Sequence, residues 1–163
     1  MVNGRALTVV FEDAATSMVF AENLALVVWR NAPTSDHVRR WHRFALDHAR
    51  GPHAPGACVD IIVNGTPSFT DEMRQETNRF AGDPKVFPRG MSHVVLMGGL
   101  AGSAVRAFIG TVMLLVKPPA PAKVFGDFDA ASRWMQPLLG PSWSVAEIRN
   151  LSVEVANRVP VLR

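Results

Sequence analysis

The chain has 163 residues, a length typical of one domain, and 48% of them are hydrophobic whereas 19% are charged. That much apolar surface excludes a disordered chain, because its burial offsets the entropy lost on folding. The net charge is only +3 and tyrosine is absent, so no nucleic-acid partner is predicted. The single cysteine, Cys58, excludes an internal disulfide.

Hydrophobic periodicity divides the chain into short β-branched runs, which predict strands, and longer segments with 3.6-residue spacing, which predict helices. In chain order the predicted elements are strands Leu7–Phe11, Met18–Ala21 and Leu24–Arg30, a helix from Thr34 or Ser35 to about Arg50, strand Ala57–Val63, a helix from about Thr70, strand Ser92–Met97, a helix from about Leu100 to Leu115, strand Ala122–Phe125, helix Phe128–Gln136 and helix Ser144–Asn157. We expect Pro137 to end or kink the helix before it.

This alternation is typical of a single α/β domain over residues 1–163. It predicts a mainly parallel or mixed sheet of four to six strands with helices packed on it. The two leading strands are expected to form an N-terminal hairpin that supplies an antiparallel edge, and the last helix is an addition at the C-terminus.

Three segments carry recognisable packing patterns. Leu24–Thr34 leads a strand into a helix, Val94–Arg106 turns from strand to helix through two glycines, and Val124–Met135 closes with an alanine and a tryptophan. Together they resemble the STAS domains of anti-sigma-factor antagonists and, more closely, the related SpoIIAA-like domains. The likeness covers residues 5–139 and leaves 140–163 as a C-terminal helical extension. It implies a bacterial, cytoplasmic regulatory domain that binds a protein partner.

Phosphoregulated STAS domains place a serine or threonine in a D-x-S-x-x-D-S-x-G turn after the second buried strand. Here the stretch Val63–Met73 departs from that motif but keeps several hydroxyl groups. We therefore expect the turn to contact the partner without predicting its phosphorylation. The residues of this candidate turn are Thr66, Ser68, Thr70 and Asp71.

A glycine-rich turn between a strand and a helix is a second candidate site. Gly98, Gly99 and Gly102 open the apolar helix, where first-turn amides and the helix dipole favour a bound anion. The alternative is that these glycines only permit a tight turn and close packing.

A basic side of the first helix is a third candidate. Arg39, Arg43 and Arg50 suit an acidic partner or lipid headgroups, and the alternative is a solvated helix face.

The chain has no recognisable catalytic or metal-binding pattern, and no cofactor is predicted. His37, His42 and His48 are spaced so that no two of them reach one metal ion from the same helix. Cys58 lies in an apolar strand, where a buried thiol is expected rather than a nucleophile.

The stretch Val94–Val116 has the length of a membrane span but contains Arg106 and a Gly-Gly turn. We therefore expect a strand and a helix here, with no stable membrane span.

We accordingly expect a non-enzymatic interaction domain with an unknown protein partner, and a homodimer is left open. The alternative is a domain that binds a small ligand or a lipid headgroup. A third alternative is an enzyme in which polar groups such as Asp60, Asp71 and Arg89 converge from separate loops.

Overall fold

A computed structural model describes residues 4–65 and 70–160 and confirms the α/β class. Within those residues it has six strands and five helices. They are β1 Thr8–Glu12, β2 Thr16–Ala21, β3 Leu24–Trp29, α1 Ser35–His48, β4 Ala57–Ile62, α2 Asp71–Gly82, β5 Gly90–Val95, α3 Gly99–Val116, β6 Ala122–Phe125, α4 Phe128–Leu139 and α5 Val145–Asn157.

The strands form one mixed sheet in which their spatial order equals their order in the chain. β1, β2 and β3 are antiparallel neighbours, so the predicted N-terminal hairpin edge is confirmed. β3, β4, β5 and β6 are parallel, and α1, α2 and α3 are the crossovers between them. Because the three crossovers advance in one direction with the usual right-handed turn, these helices cover the same face of the sheet.

The sheet separates two apolar cores, and the alternation of side chains along β4 illustrates this. Val59 and Ile61 face the core that α4 and α5 cover, whereas Cys58 and Ile62 face the side of α1 and α3. The segment predicted as a C-terminal extension packs into the first core. Its fully buried apolar side chains, within the described residues, are Trp143, Ile148, Leu151 and Val155.

Two of the elements whose predicted boundaries are wrong have a clear physical reason for the difference. α4 does not end before Pro137 but continues to Leu139, because Met135 and Leu139 are both buried against the sheet and hold the last turn in place. Gly140, with φ 97°, then ends the helix. β5 starts and ends two residues earlier than predicted, because its pairing with β4 begins at Gly90.

Candidate functional site

Helix α3 is unusual for a core crossover because its surface is largely open. Its 18 residues have a mean hydropathy of 1.7, which makes it long and apolar enough to cross a membrane by length and composition alone. Only Gly102 and Val105 are buried. A helix in a soluble core normally hides such residues, so this surface requires an explanation.

The N-terminal half of α3 is fixed closely to the end of β5. Gly102 lies so near the backbone that a Cβ atom there would overlap the carbonyl group of Met97. Arg106 donates a hydrogen bond from Nη1 to the same carbonyl, at 3.3 Å. The only charged side chain within α3 is thus held by the backbone just before the N-terminus of this helix.

The outward residues of α3 form an uncharged and mostly apolar strip, which we call the outer face. Leu100 is 92% exposed at one end, and Leu114 and Leu115 are 74% and 72% exposed at the other. Small residues separate the leucines. The outer face comprises Leu100, Ser103, Ala104, Ala107, Gly110, Thr111, Leu114 and Leu115.

Behind α3 lies a cavity of about 140 Å³, which we call the α3 cavity. Its walls come from the inner side of α3, from α1 and α2, and from the sheet. Most of the side chains around it are aromatic or aliphatic. They include Trp41, Met73, Phe80, Phe87, Val105 and Ile109.

One polar cluster reaches this apolar cavity from the sheet. Asp60 and His93 are direct neighbours on β4 and β5, and both point to the face that α3 covers. Asp60 accepts a hydrogen bond from Trp29 Nε1 through Oδ1 and contacts His93 Nδ1 through Oδ2, each at 2.6 Å. The side chains of Asp60 and His93 are only 16% and 13% exposed.

The predicted turn at 66–71 is only partly described. Thr66 and Ser68 lie outside the described residues. Thr70 caps α2, where its hydroxyl accepts from the amide of Met73, and Asp71 is exposed and paired with Arg74. Both described residues therefore have local roles at the start of α2.

The three glycines of this turn have the geometry of a tight connection between a strand and a helix. Gly98 is the N-cap of α3 without any side-chain hydrogen bond, and Gly99 has a φ of +62°, which favours glycine. Gly102 is required by the close packing against Met97. Arg106, one turn further along α3, donates to the backbone carbonyl of Met97 just before this turn.

The basic side of α1 is largely neutralised by ion pairs. Arg39 contacts Glu72 and Glu76 of α2, and Arg50 contacts Asp47 within α1. Arg43 stands over the ring of Phe44. Two of the three arginines are therefore already occupied.

Three of the histidines among the described residues, including His93, pair with carboxylates. His42 contacts Asp83 at 2.9 Å, and His37 contacts Asp13 at the same distance. Burial works to raise the pKa of Asp83, but hydrogen bonds from Lys85 N–H and His42 outweigh it and hold that pKa below its usual value. Within 4–65 and 70–160 no cluster of three metal-ligating side chains occurs.

Cys58 is fully buried, as predicted from its position in an apolar strand. Burial, helped by the charge of nearby Asp60, raises the pKa of its thiol well above the usual value. A thiol of this kind is a poor nucleophile because the thiolate is not formed near neutral pH.

Asp60 was the only member of the predicted polar trio that faces the cavity. Asp71 is exposed on α2, and Arg89 instead donates to the backbone carbonyls of Leu138 and Leu139. Sequence reasoning missed His93. The available signal was that a polar residue interrupts each of two adjacent apolar strands.

Comparisons with known proteins identify no relative. No family model matches the chain, and no curated protein or solved structure matches it significantly. The resemblance to STAS and SpoIIAA-like domains therefore stays a prediction.

Proposed function

We propose that this protein is a non-enzymatic cytoplasmic interaction domain that works by protein–protein contact through the outer face of α3. The observation that carries the proposal is the exposure of this strip: Leu100, Leu114 and Leu115 are each more than 70% exposed. Burying each leucine against a partner is worth about 1.5–3 kcal/mol. A partner therefore gains substantially from covering this face.

The pattern of the outer face favours a second copy of the chain as the occupant. Leu100 and Leu114 lie seven residues on either side of Ala107, so both are on the same side of the helix. When two such helices pair antiparallel about a two-fold axis at Ala107, Leu100 of one copy meets Leu114 of the other. The small residues between them allow the two backbones to approach.

The dimensions of α3 indicate a weak dimer. Eighteen residues give a helix about 27 Å long and about 10 Å wide. That strip is well below the roughly 800 Å² per partner of a standard stable interface. We therefore expect self-association that depends on concentration, with a dissociation constant in the micromolar range or weaker.

Sedimentation velocity over a range of protein concentrations tests this proposal. The unmodified chain is expected to shift from monomer to dimer as concentration rises, and Leu100→Glu combined with Leu114→Glu is expected to remain monomeric. Val159→Glu is the matched control, because Val159 is 81% exposed but lies outside α3. A strictly monomeric unmodified chain, or a double variant that associates as the unmodified chain does, contradicts the proposal.

A lipid surface is the second candidate for the same face, because α3 has the length and hydropathy of a membrane helix. Its ends join strands β5 and β6 of one sheet, so α3 would lie in the membrane interface rather than cross it. Flotation with phosphatidylcholine vesicles distinguishes the two. Vesicle binding that the double leucine variant loses, by a chain that stays monomeric, favours the lipid surface over the dimer.

A further inference from the structure

The α3 cavity has the size of a small ring. An enclosed apolar cavity of about 150 Å³ in another protein binds benzene, and the α3 cavity, which is partly open to solvent, measures about 140 Å³. Its walls are rich in aromatic side chains, including Trp41, Phe80 and Phe87. A planar apolar molecule about the size of benzene or phenol matches this space.

On the sheet side of the cavity, Asp60 determines which ring nitrogen of His93 carries the hydrogen. A carboxylate has no proton to donate, so the hydrogen between Asp60 Oδ2 and His93 Nδ1 belongs to the histidine. Asp60 is held in turn by the indole N–H of Trp29. In neutral His93 the remaining nitrogen, Nε2, is then a hydrogen-bond acceptor.

Nε2 lies on the side of the ring away from Asp60. None of the residues 4–65 and 70–160 forms a hydrogen bond with it. A nitrogen acceptor beside mostly apolar walls gains most from a ligand that brings its own O–H group, because those walls offer few hydrogen-bond donors. The nearby carboxylate of Asp60 disfavours a ligand that carries a negative charge.

We propose that the α3 cavity is a binding site for a small neutral aromatic molecule of the phenol class, whose hydroxyl group donates a hydrogen bond to Nε2 of His93. The ring lies between α3 and the sheet, among the aromatic walls. This site is separate from the outer face of α3, which is on the opposite side of the helix. The inference therefore does not rest on the proposed dimer.

Titration calorimetry with phenol, toluene and benzoate as probes tests the ligand class. Phenol is expected to bind one to one, toluene about five- to tenfold more weakly because it lacks the hydroxyl group, and benzoate not measurably. Failure of both phenol and toluene to bind overturns the site. Equal affinity for phenol and toluene overturns the role of His93.

A substitution in the wall of the cavity tests the location. Val112 lines the cavity, so Val112→Phe fills it and is expected to abolish binding of phenol and toluene. Thr111→Phe, the matched control, places the same ring on the outer face of the same helix and is expected to leave affinity unchanged. Phenol binding that survives Val112→Phe locates the ligand elsewhere and contradicts the proposal.

Changing the tautomer of His93 tests the hydrogen bond directly. It should alter which ligands the site prefers, which a purely structural role of His93 would not do. In Asp60→Asn the amide oxygen accepts from Trp29, which leaves the NH₂ group facing Nδ1 and transfers the ring hydrogen to Nε2. This variant is expected to bind benzaldehyde, which only accepts, several-fold better relative to toluene than the unmodified chain does. An unchanged benzaldehyde-to-toluene ratio in a folded variant overturns the hydrogen bond.

A measurement on the unmodified protein keeps the proposal testable if a variant fails to fold. The ¹⁵N chemical shift of His93 Nε2 is expected to move when phenol is added and to stay when toluene is added. A shift that neither probe moves, or that both move equally, contradicts the proposed contact.

Discussion

His48 stacks on Phe20 with ring centroids 4.4 Å apart and planes inclined by 20°. Its Nε2 is buried and has no hydrogen-bond partner among the described residues. Burial therefore lowers the pKa of His48, and the charge of neighbouring His53 lowers it further. The folded chain therefore protonates this ring at a lower pH than the unfolded chain does.

This pair predicts a loss of stability in mild acid. Below a pH of about 6.5 the unfolded chain binds a proton at His48, whereas the folded chain binds it only at lower pH. The free energy of unfolding therefore falls as the pH falls toward the lowered pKa of the folded chain. His48→Phe keeps the stacking and is expected to flatten this slope in urea titrations between pH 5 and 7.5. His53→Gln, the control, should retain most of it, because burial is the larger cause. Equal slopes in the unmodified chain and His48→Phe would contradict the assignment.

Two glycines of α3 are expected to respond oppositely to alanine. Gly102→Ala forces a methyl group into the carbonyl of Met97 and should destabilise the fold by at least about 1–3 kcal/mol. At Gly110 a Cβ meets nothing within 4 Å, so Gly110→Ala should stabilise the helix by about 0.5–1 kcal/mol. Thermal and urea unfolding measure both. The same sign for the two variants would contradict the described seating of α3.

Trp29 is expected to matter for its indole N–H as well as its bulk. Trp29→Phe leaves Oδ1 of Asp60 without its donor and should cost about 1–3 kcal/mol for the hydrogen bond, besides the lost packing. Trp134→Phe is the matched control, because no hydrogen bond of its indole occurs among the described residues. Urea unfolding that gives both variants the same loss would show that the Trp29 hydrogen bond contributes nothing.

The segment after residue 139 is expected to be integral to the fold. Ile148 is completely buried in the core shared with the sheet, so Ile148→Ala should cost about 2–5 kcal/mol. Val159→Ala, at an exposed position nearby in sequence, should change stability by less than about 0.5 kcal/mol. A negligible effect of Ile148→Ala in urea unfolding would mean that α5 folds apart from the core.

The α/β class and the hairpin were predictable because strand periodicity and turn residues are local signals. The exposure of α3 was not predictable, since residues 99–116 are apolar on every side and no polar stripe indicates which side faces solvent. The opposite holds for α5, where Ile148, Leu151 and Val155 recur at helical spacing between polar residues and are all buried.

The polar cluster was hidden for a different reason. Asp60 and His93 are 33 residues apart, and they meet only because β4 and β5 pair in one particular register. A one-residue slip would turn one of them to the opposite face of the sheet. Register depends on tertiary packing, so residue spacing along the chain carries no information about this contact.

The strand order has a consequence for synthesis on the ribosome. Because the strands line up in chain order and α1, α2 and α3 cover one face, that face is complete once β6 has been made. The opposite face, with Leu24, Leu26 and Ile61, has no helix until α4 and α5 emerge. During this interval the nascent chain has a complete sheet with one apolar face still exposed to solvent. Chaperones would recognise the chain in this state.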